Sequence, residues 1–238
     1  TATEAMEGFE TRTASQAAFY DLEEHLRWYR RRADLDRPGA RWTLRRVLET
    51  RLVLLAPFVP FLANELHEQL TGEAAEAADW PAVDPEFQGP QIEAEEELVR
   101  GLVDDIAEVV DVTGTDPSTI RIYTGADWKY RAFGVVAETG PDIGEAMSRA
   151  MQFDSIRARS DEAADLVEEL VAFVRERPIE QLGWLEEVDE RAVYEAASRF
   201  LGTEFDAAVE VYQEGPDVYD PADKAADAVP FRPAIHLE

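Results

Sequence analysis

The spacing of the apolar residues changes character once along this 238-residue chain, and that change limits the fold more than any other feature. Through residue 112 the apolar positions recur at helical spacing. Over 119–124, Ile120, Ile122 and Thr124 alternate with Arg121 and Tyr123, the two-residue period of a strand. The first part therefore predicts a helical bundle and the rest a smaller domain in which helices cover a sheet. The expected fold class is mainly α: a bundle over 1–115, then a small α+β domain with a short sheet over 116–238. With 45% apolar residues the chain can give each part a core.

Within the bundle, Phe9, Phe19, Leu22, Leu26 and Tyr29 predict one long amphipathic helix over 4–33, capped by Thr3 and stopped by Pro38-Gly39. A second helix is expected from about Arg41, with Leu44, Val47, Leu48 and Leu55 on one side. Arg51 interrupts that apolar face. Pro57 and Pro60 should end or kink it, and the helix that resumes should close at Gly72. An Ala-, Glu-, Pro- and Asp-rich connection leads to Pro90. Residues 91–112 stack Leu98, Leu102, Ile106 and Val109 along a further helix. Beyond 116 the pattern predicts helices near 127–137, 142–152, 161–175 and 189–201, the last preceded by Pro178 and a turn holding Trp184. Further strands are expected at 207–212 and 234–237.

Charge is distributed unevenly. Acidic residues number 51 against 23 basic ones, a net charge of -28, and only Lys129 and Lys224 are lysines. Such a surface suits solubility in molar salt, where a screening length of about 3 Å suppresses self-repulsion, so a halophilic source is expected. Residues 27–51, however, hold Arg27, Arg30, Arg31, Arg32, Arg37, Arg41, Arg45, Arg46 and Arg51 against Asp34, Asp36 and Glu49. These nine bases and three acids make an island of +6, which leaves -34 on the remainder. One basic island kept in so acidic a chain reads as functional.

Chemistry is harder to find. Cys is absent, which removes disulfides, thiolate nucleophiles and Cys-based metal sites. His25, His67 and His236 lie far apart with no ligand at a fixed helical offset, and the glycines are too dispersed for a phosphate loop. Paired carboxylates such as 95–97 and 104–105 read as a solvated face. No apolar run reaches the roughly 20 residues that span a bilayer, so a cytoplasmic protein without a membrane partner is expected. The chain opens on Thr1 inside a helical pattern, which suggests a piece of a longer protein.

Five segments carry a family resemblance. LLAPFVPF at 54–61, running on into LANELHEQL, resembles the signature of the anticodon-binding helical domain of the leucyl, valyl, isoleucyl and methionyl synthetases, with His67 where that family usually has Trp. The two prolines there are expected to admit Leu55, Phe58 and Phe61 to the bundle core. Trp80-Pro81 with Val83-Asp84, and the helix at 96–106, resemble the elements that follow. IYTGADWKY at 122–130 and PFRPAIHLE at 230–238 are similar to segments of leucyl-tRNA synthetases of the archaeal and eukaryotic type.

The resemblance implies a C-terminal, tRNA(Leu)-contacting part of a leucine-tRNA ligase, a class I enzyme. Its ATP-dependent catalytic domain and its editing domain would lie upstream, because the HIGH and KMSKS motifs are absent here. It implies phosphate contacts at Arg27, Arg30, Arg31, Arg32, Arg41, Arg45 and Arg46, since the arginine fork binds phosphate in two-point fashion. It implies readout of the long variable arm by Trp128, Lys129, Tyr130 and Arg131 and by Phe231, Arg232 and Ile235. No cofactor is expected in this part, ATP belonging to the parent enzyme, and a monomer is expected. An acidic helical scaffold for a protein partner, or a synthetase paralogue without charging activity, would fit the same residues. The charge itself generates a test: dialysis from molar to about 0.1 M KCl, where the screening length is about 10 Å, should cost helical circular dichroism, and an unchanged spectrum would count against the halophilic reading.

Overall fold

The computed structural model describes residues 1–84, 89–177 and 179–238 and packs the chain as two compact units, Thr1–Gln88 and Gly89–Glu238. In the first, α1 (Ala2–Glu7) opens on a capping box. Thr1 Oγ1 accepts the Glu4 N–H at 3.4 Å while the Glu4 carboxylate accepts from the Thr1 amino group at 2.7 Å. Thr3, expected as the cap, lies inside the helix, and its hydroxyl accepts the Trp80 indole N–H at 3.0 Å.

The single helix expected over 4–33 is broken. Phe9 takes a φ of 58°, a value that crowds Cβ against the following carbonyl and stops a helix. The chain restarts as α2 (Thr11–Ser15), widens into a π-helical stretch (Gln16–Asp21) and returns as α3 (Leu22–Arg32). A π turn inserts residues into the α ladder and rotates all that follows, so apolar positions counted at 3.6 residues per turn leave their common face. Phe9, at the break itself, stands 89% exposed.

Proline both ends and starts helices here: the helix before Pro57 stops at Leu55, as expected. Pro38 opens α4 (Pro38–Leu55) and Pro60 opens α5 (Pro60–Thr71), each in the first turn where its missing N–H costs nothing. Gly72, at φ 91°, closes α5 in the left-handed conformation. Helices α4 and α5 pack on each other. Leu52, Val53 and Ala63 are buried and Phe58 is half-buried, but Phe61 is 91% exposed and does not enter the core. The first turn of α5 holds it on the side away from buried Ala63 and His67. His67, the residue in place of the family's Trp, donates Nδ1–H to the Glu73 carbonyl at 2.6 Å and so ties the end of α5 to the turn after it.

In the second unit α6 (Pro90–Thr113) buries Ala94, Val99, Leu102, Val103 and Ile106. Its partners are α11 (Ile179–Glu186), α12 (Glu190–Phe205) and β3 (Ala234–Leu237). The division in packing thus falls before α6, whereas the change in residue pattern falls after it. Strand β1 (Thr119–Thr124) is central in a sheet of order β2-β1-β3. It runs parallel to β2 (Ala208–Gln213), with Ile122 opposite Val211, and antiparallel to β3, with Ile122 opposite Ile235. A parallel pair needs a long crossover. Here it holds α7 (Asp127–Thr139), α8 (Ile143–Ala150), α9 (Asp154–Arg157), α10 (Ser160–Arg175), α11 and α12. Trp184 lies within α11 rather than in a turn; Pro178 lies outside the described residues.

The core of this unit gathers Trp128, Phe133, Val136, Ile156, Leu170, Phe173 and Phe231. Its polar pin is Lys129, 6% exposed. Its ammonium donates to the carbonyls of Ala226 and Ala228 at 2.7 Å each and pairs with Glu214 at 2.8 Å. Three donors meet three acceptors. No helix among the described residues is long and apolar enough to cross a membrane. Replacing Lys129 by Met leaves two carbonyls without their donor and Glu214 with only the Ala126 N–H, so K129M should destabilise the fold by about 3 kcal/mol. A urea midpoint equal to that of the unsubstituted protein would contradict this.

Candidate nucleic-acid interface

The arginine island occupies two helices of the first unit, and the structure sorts its members by exposure. On α3, Arg27, Arg30 and Arg31 are exposed and spaced three and four residues apart, so they share a face. The last three residues of the helix, Arg30, Arg31 and Arg32, sit where the helix dipole favours cations. Arg32 is half-buried. On α4, Arg41, Arg45 and Arg46 have side chains 72%, 57% and 67% exposed.

Their ion pairs are mostly long. Arg27 stands 3.7 Å from Glu23, Arg41 3.8 Å from Asp36 and Arg46 3.7 Å from Glu49. Exposed pairs of this kind contribute little, so a phosphate can replace them at small cost. Arg45 is held more firmly, donating Nε–H to Glu49 at 2.9 Å and Nη2–H to the Leu70 carbonyl at the end of α5 at 2.8 Å. Arg37, outside the proposed contacts, is 3.4 Å from Asp34. Arg51 differs from all of these. Its side chain is 15% exposed, pairs with Glu23 at 2.7 Å, donates to the Phe19 carbonyl at 3.2 Å and lies 4.7 Å from the Phe19 ring centroid. The arginine that interrupts the apolar face of α4 is therefore a staple to the π-helical stretch and α3, and the Arg51 hydrogen bond holds the Glu23 carboxyl below its usual range.

Trp42 also stands here, 54% exposed on α4.

The second expected set lies in the other unit, and much of it is corrected by burial. Trp128 is 6% exposed and packed in the core, so its ring offers no face to a base. Lys129 commits its ammonium inside the protein. Phe231 is 8% exposed and meets Phe133 edge-on at 4.9 Å. Trp128 lies under Arg159, whose guanidinium is 5.6 Å from its ring centroid, while the loop before β3 supplies the acceptors of Lys129. Tyr130 is half-buried, its ring edge-on to Phe231 at 6.0 Å and its hydroxyl committed to Glu190. Ile235 is a half-buried strand residue paired with Ile122. Arg131 and Arg232 alone of this set remain exposed. Arg131 lies 5.6 Å from the Phe153 ring centroid, and Arg232 donates to Glu169 at 2.9 Å.

The residue that organises this region was not anticipated. Glu190, 2% exposed at the start of α12, accepts the Tyr130 O–H at 2.6 Å and the Phe231 N–H at 2.7 Å, both on Oε2. Phe231 takes a φ of 63°, and its N–H meets the carboxyl in that left-handed turn. Burial pushes the Glu190 carboxyl up to about 7, although both hydrogen bonds act the other way.

Comparison with known proteins supplies the wider context. The family described as the anticodon-binding domain of tRNA ligase matches residues 1–122, which takes in the whole first unit, α6 and the start of β1. Across 239 residues, 99% of the chain, it is 34% identical to the leucine-tRNA ligase of Pyrococcus abyssi and 36% identical to that of Pyrococcus furiosus. It is 36% identical to the leucine-tRNA ligase of Methanothermobacter thermautotrophicus over 243 residues. The chain spans about a quarter of the length of these relatives, 24%, 24% and 25% respectively.

Glu190 makes stability depend on pH with a definite sign. Its folded carboxyl binds a proton more tightly than the ordinary 4.5, so its contribution is fully present below about 4.5 and is lost as pH rises through about 7. The gap corresponds to about 3 kcal/mol. Subtracting the urea stability of an E190Q variant, which cannot ionise, from that of the unsubstituted protein should give a difference that falls between pH 4.5 and 8. A difference that stays flat would show that Glu190 does not titrate there.

Proposed function

The chain belongs to the anticodon-binding-domain family of tRNA ligases, and from that premise we propose that it is the C-terminal, tRNA(Leu)-contacting part of a leucine-tRNA ligase. On this reading it positions tRNA for leucylation by an upstream domain that binds ATP, in a monomeric, cytoplasmic enzyme of a halophilic organism. The observation that carries the proposal is a family match through the first unit coinciding with a set of exposed arginines there. Arg27, Arg30, Arg31, Arg41, Arg45 and Arg46 present guanidinium groups to solvent on the one basic stretch of a chain whose net charge is -28. A polyanion approaching an otherwise repulsive surface is admitted only where the local field is positive.

Phosphate contacts position RNA without reading it, whereas readout targets unpaired nucleotides. The arginines of α3 and α4 take the first role, with Arg32 contributing from its half-buried place at the end of α3. Arg131 and Arg232, the cations of the second set that remain exposed, take the second, at the variable arm. Tyr130 and Ile235, half-buried and committed to Glu190 and Ile122, take no part in readout.

Filter binding tests the division. Replacing Arg27, Arg30 and Arg31 together by Gln should weaken tRNA(Leu) and a short-armed tRNA by a similar factor. It should also flatten the slope of log affinity against log salt by about one for each phosphate no longer neutralised. The R131Q/R232Q double variant should penalise tRNA(Leu) several-fold more than the short-armed tRNA. Equal losses for the two RNAs in both variants would remove the specific role given to the second unit.

A further inference from the structure

The second unit holds a cavity that none of the proposed RNA contacts lines. Its volume is about 220 Å³, against roughly 150 Å³ for a dry apolar cavity that accepts a benzene ring, so it has room for one small molecule with a ring or a branched chain. Trp184 and Leu185 of α11, Tyr194 of α12 and Phe231 give it apolar walls, and α6 supplies its acidic side. Positions 93, 97, 101 and 105 of α6 recur every four residues and share a face. Three of them carry carboxylates, Glu93, Glu97 and Asp105, and the fourth is Gly101. A glycine inside a helix is destabilising relative to alanine, yet here a Cβ would meet nothing within 4 Å. Packing does not require it, and it leaves the rim open between the acids. Partial burial, ahead of repulsion from Glu108 and Asp104, pushes the Asp105 carboxyl up from its usual range, a cost that a cation beside it offsets.

Arg177, two residues beyond α10, brings the opposite charge to the same cavity. Its guanidinium lies 3.6 Å from the Phe173 ring centroid and donates Nη1–H to the Phe173 carbonyl at 3.2 Å, so one residue holds it twice. Among the described residues it forms no ion pair, although the chain has 51 acidic side chains. Most of its five N–H donors are left for water or a ligand. We propose that this cavity binds one α-amino acid with a large apolar side chain, its carboxylate on Arg177, its ammonium at the Glu97 and Asp105 carboxylates, and its side chain between the aromatic walls. The arginine fork meets a carboxylate in two-point fashion. A simple anion is repelled by the three carboxylates and a simple cation by Arg177, whereas a zwitterion satisfies both. Partial enclosure strengthens each pairing relative to open water.

Isothermal titration calorimetry of the whole 238-residue chain tests this, with L-phenylalanine as the probe and KCl at a concentration that keeps the helical circular dichroism. L-Phenylalanine should bind saturably at millimolar concentration. Phenethylamine, which lacks the carboxylate, and 3-phenylpropionate, which lacks the ammonium, should each bind roughly tenfold more weakly. R177Q should weaken L-phenylalanine by a similar factor and leave phenethylamine within about twofold, a selectivity that a loosened fold does not produce. E97Q/D105N should in the same way weaken L-phenylalanine and spare 3-phenylpropionate. No saturable binding of L-phenylalanine, equal affinity for the three ligands, or an R177Q loss equal for L-phenylalanine and phenethylamine would overturn the proposal. If R177Q does not keep the circular dichroism of the unsubstituted chain, the three-ligand comparison decides alone. The inference does not depend on tRNA binding, so either reading can fail while the other stands.

Discussion

A single buried ammonium closes the second unit. Lys129 reaches the carbonyls of Ala226 and Ala228 in the loop before β3 and the carboxylate of Glu214 just after β2, so one side chain on α7 holds the approach to one edge strand and the exit from the other. Removing a charge from water is costly unless all of its donors are matched, and here they are. A lysine suits the place because its compact ammonium has three donors that can turn toward three separate acceptors, whereas the planar guanidinium fork fixes the directions of its own. That one of only two lysines in the chain is found here is consistent with a geometric need rather than a surface one.

Glu190 plays the complementary part. Its carboxyl takes the Tyr130 hydroxyl and the Phe231 amide on the same oxygen, drawing the turn before β3 against α7 and α12. Phe231 then fills the space between Phe133 and Phe173. With Arg121, 6% exposed, paired to Glu210 and Glu238 at 2.9 and 2.7 Å, the last residues of the chain are bound on several sides. The terminal segment therefore forms a wall of the domain, with Arg232 left exposed on it.

In the first unit the arginines divide by the same rule of matched partners. Arg51 turns inward because Glu23 and the Phe19 carbonyl await it, while Arg27, Arg41 and Arg46 face water with partners near 3.7 Å. Arginines alike in sequence thus become an internal staple or an exposed cation according to what packs opposite. The π-helical stretch carries part of that arrangement, since it brings Phe19 and Glu23 to Arg51.

Sequence alone determined the element types and many of their ends. The bounds of β1 and β3 were legible in the residue pattern, Gly72 marked a helix end, and the arginine island and the family strings were legible as residues in order. These are local properties, fixed by neighbours a few positions away. What only the tertiary structure decided is which side chains face water. The WKY string at 128–130 reads equally well as a stacking surface or as core, and the choice falls to core because a loop some hundred residues later supplies the acceptors for Lys129. The break at Phe9, the exposure of Phe61 and the burial of Phe231 have the same origin. Burial depends on contacts distant in sequence, and periodicity records only that a face is apolar, not whether anything arrives to cover it.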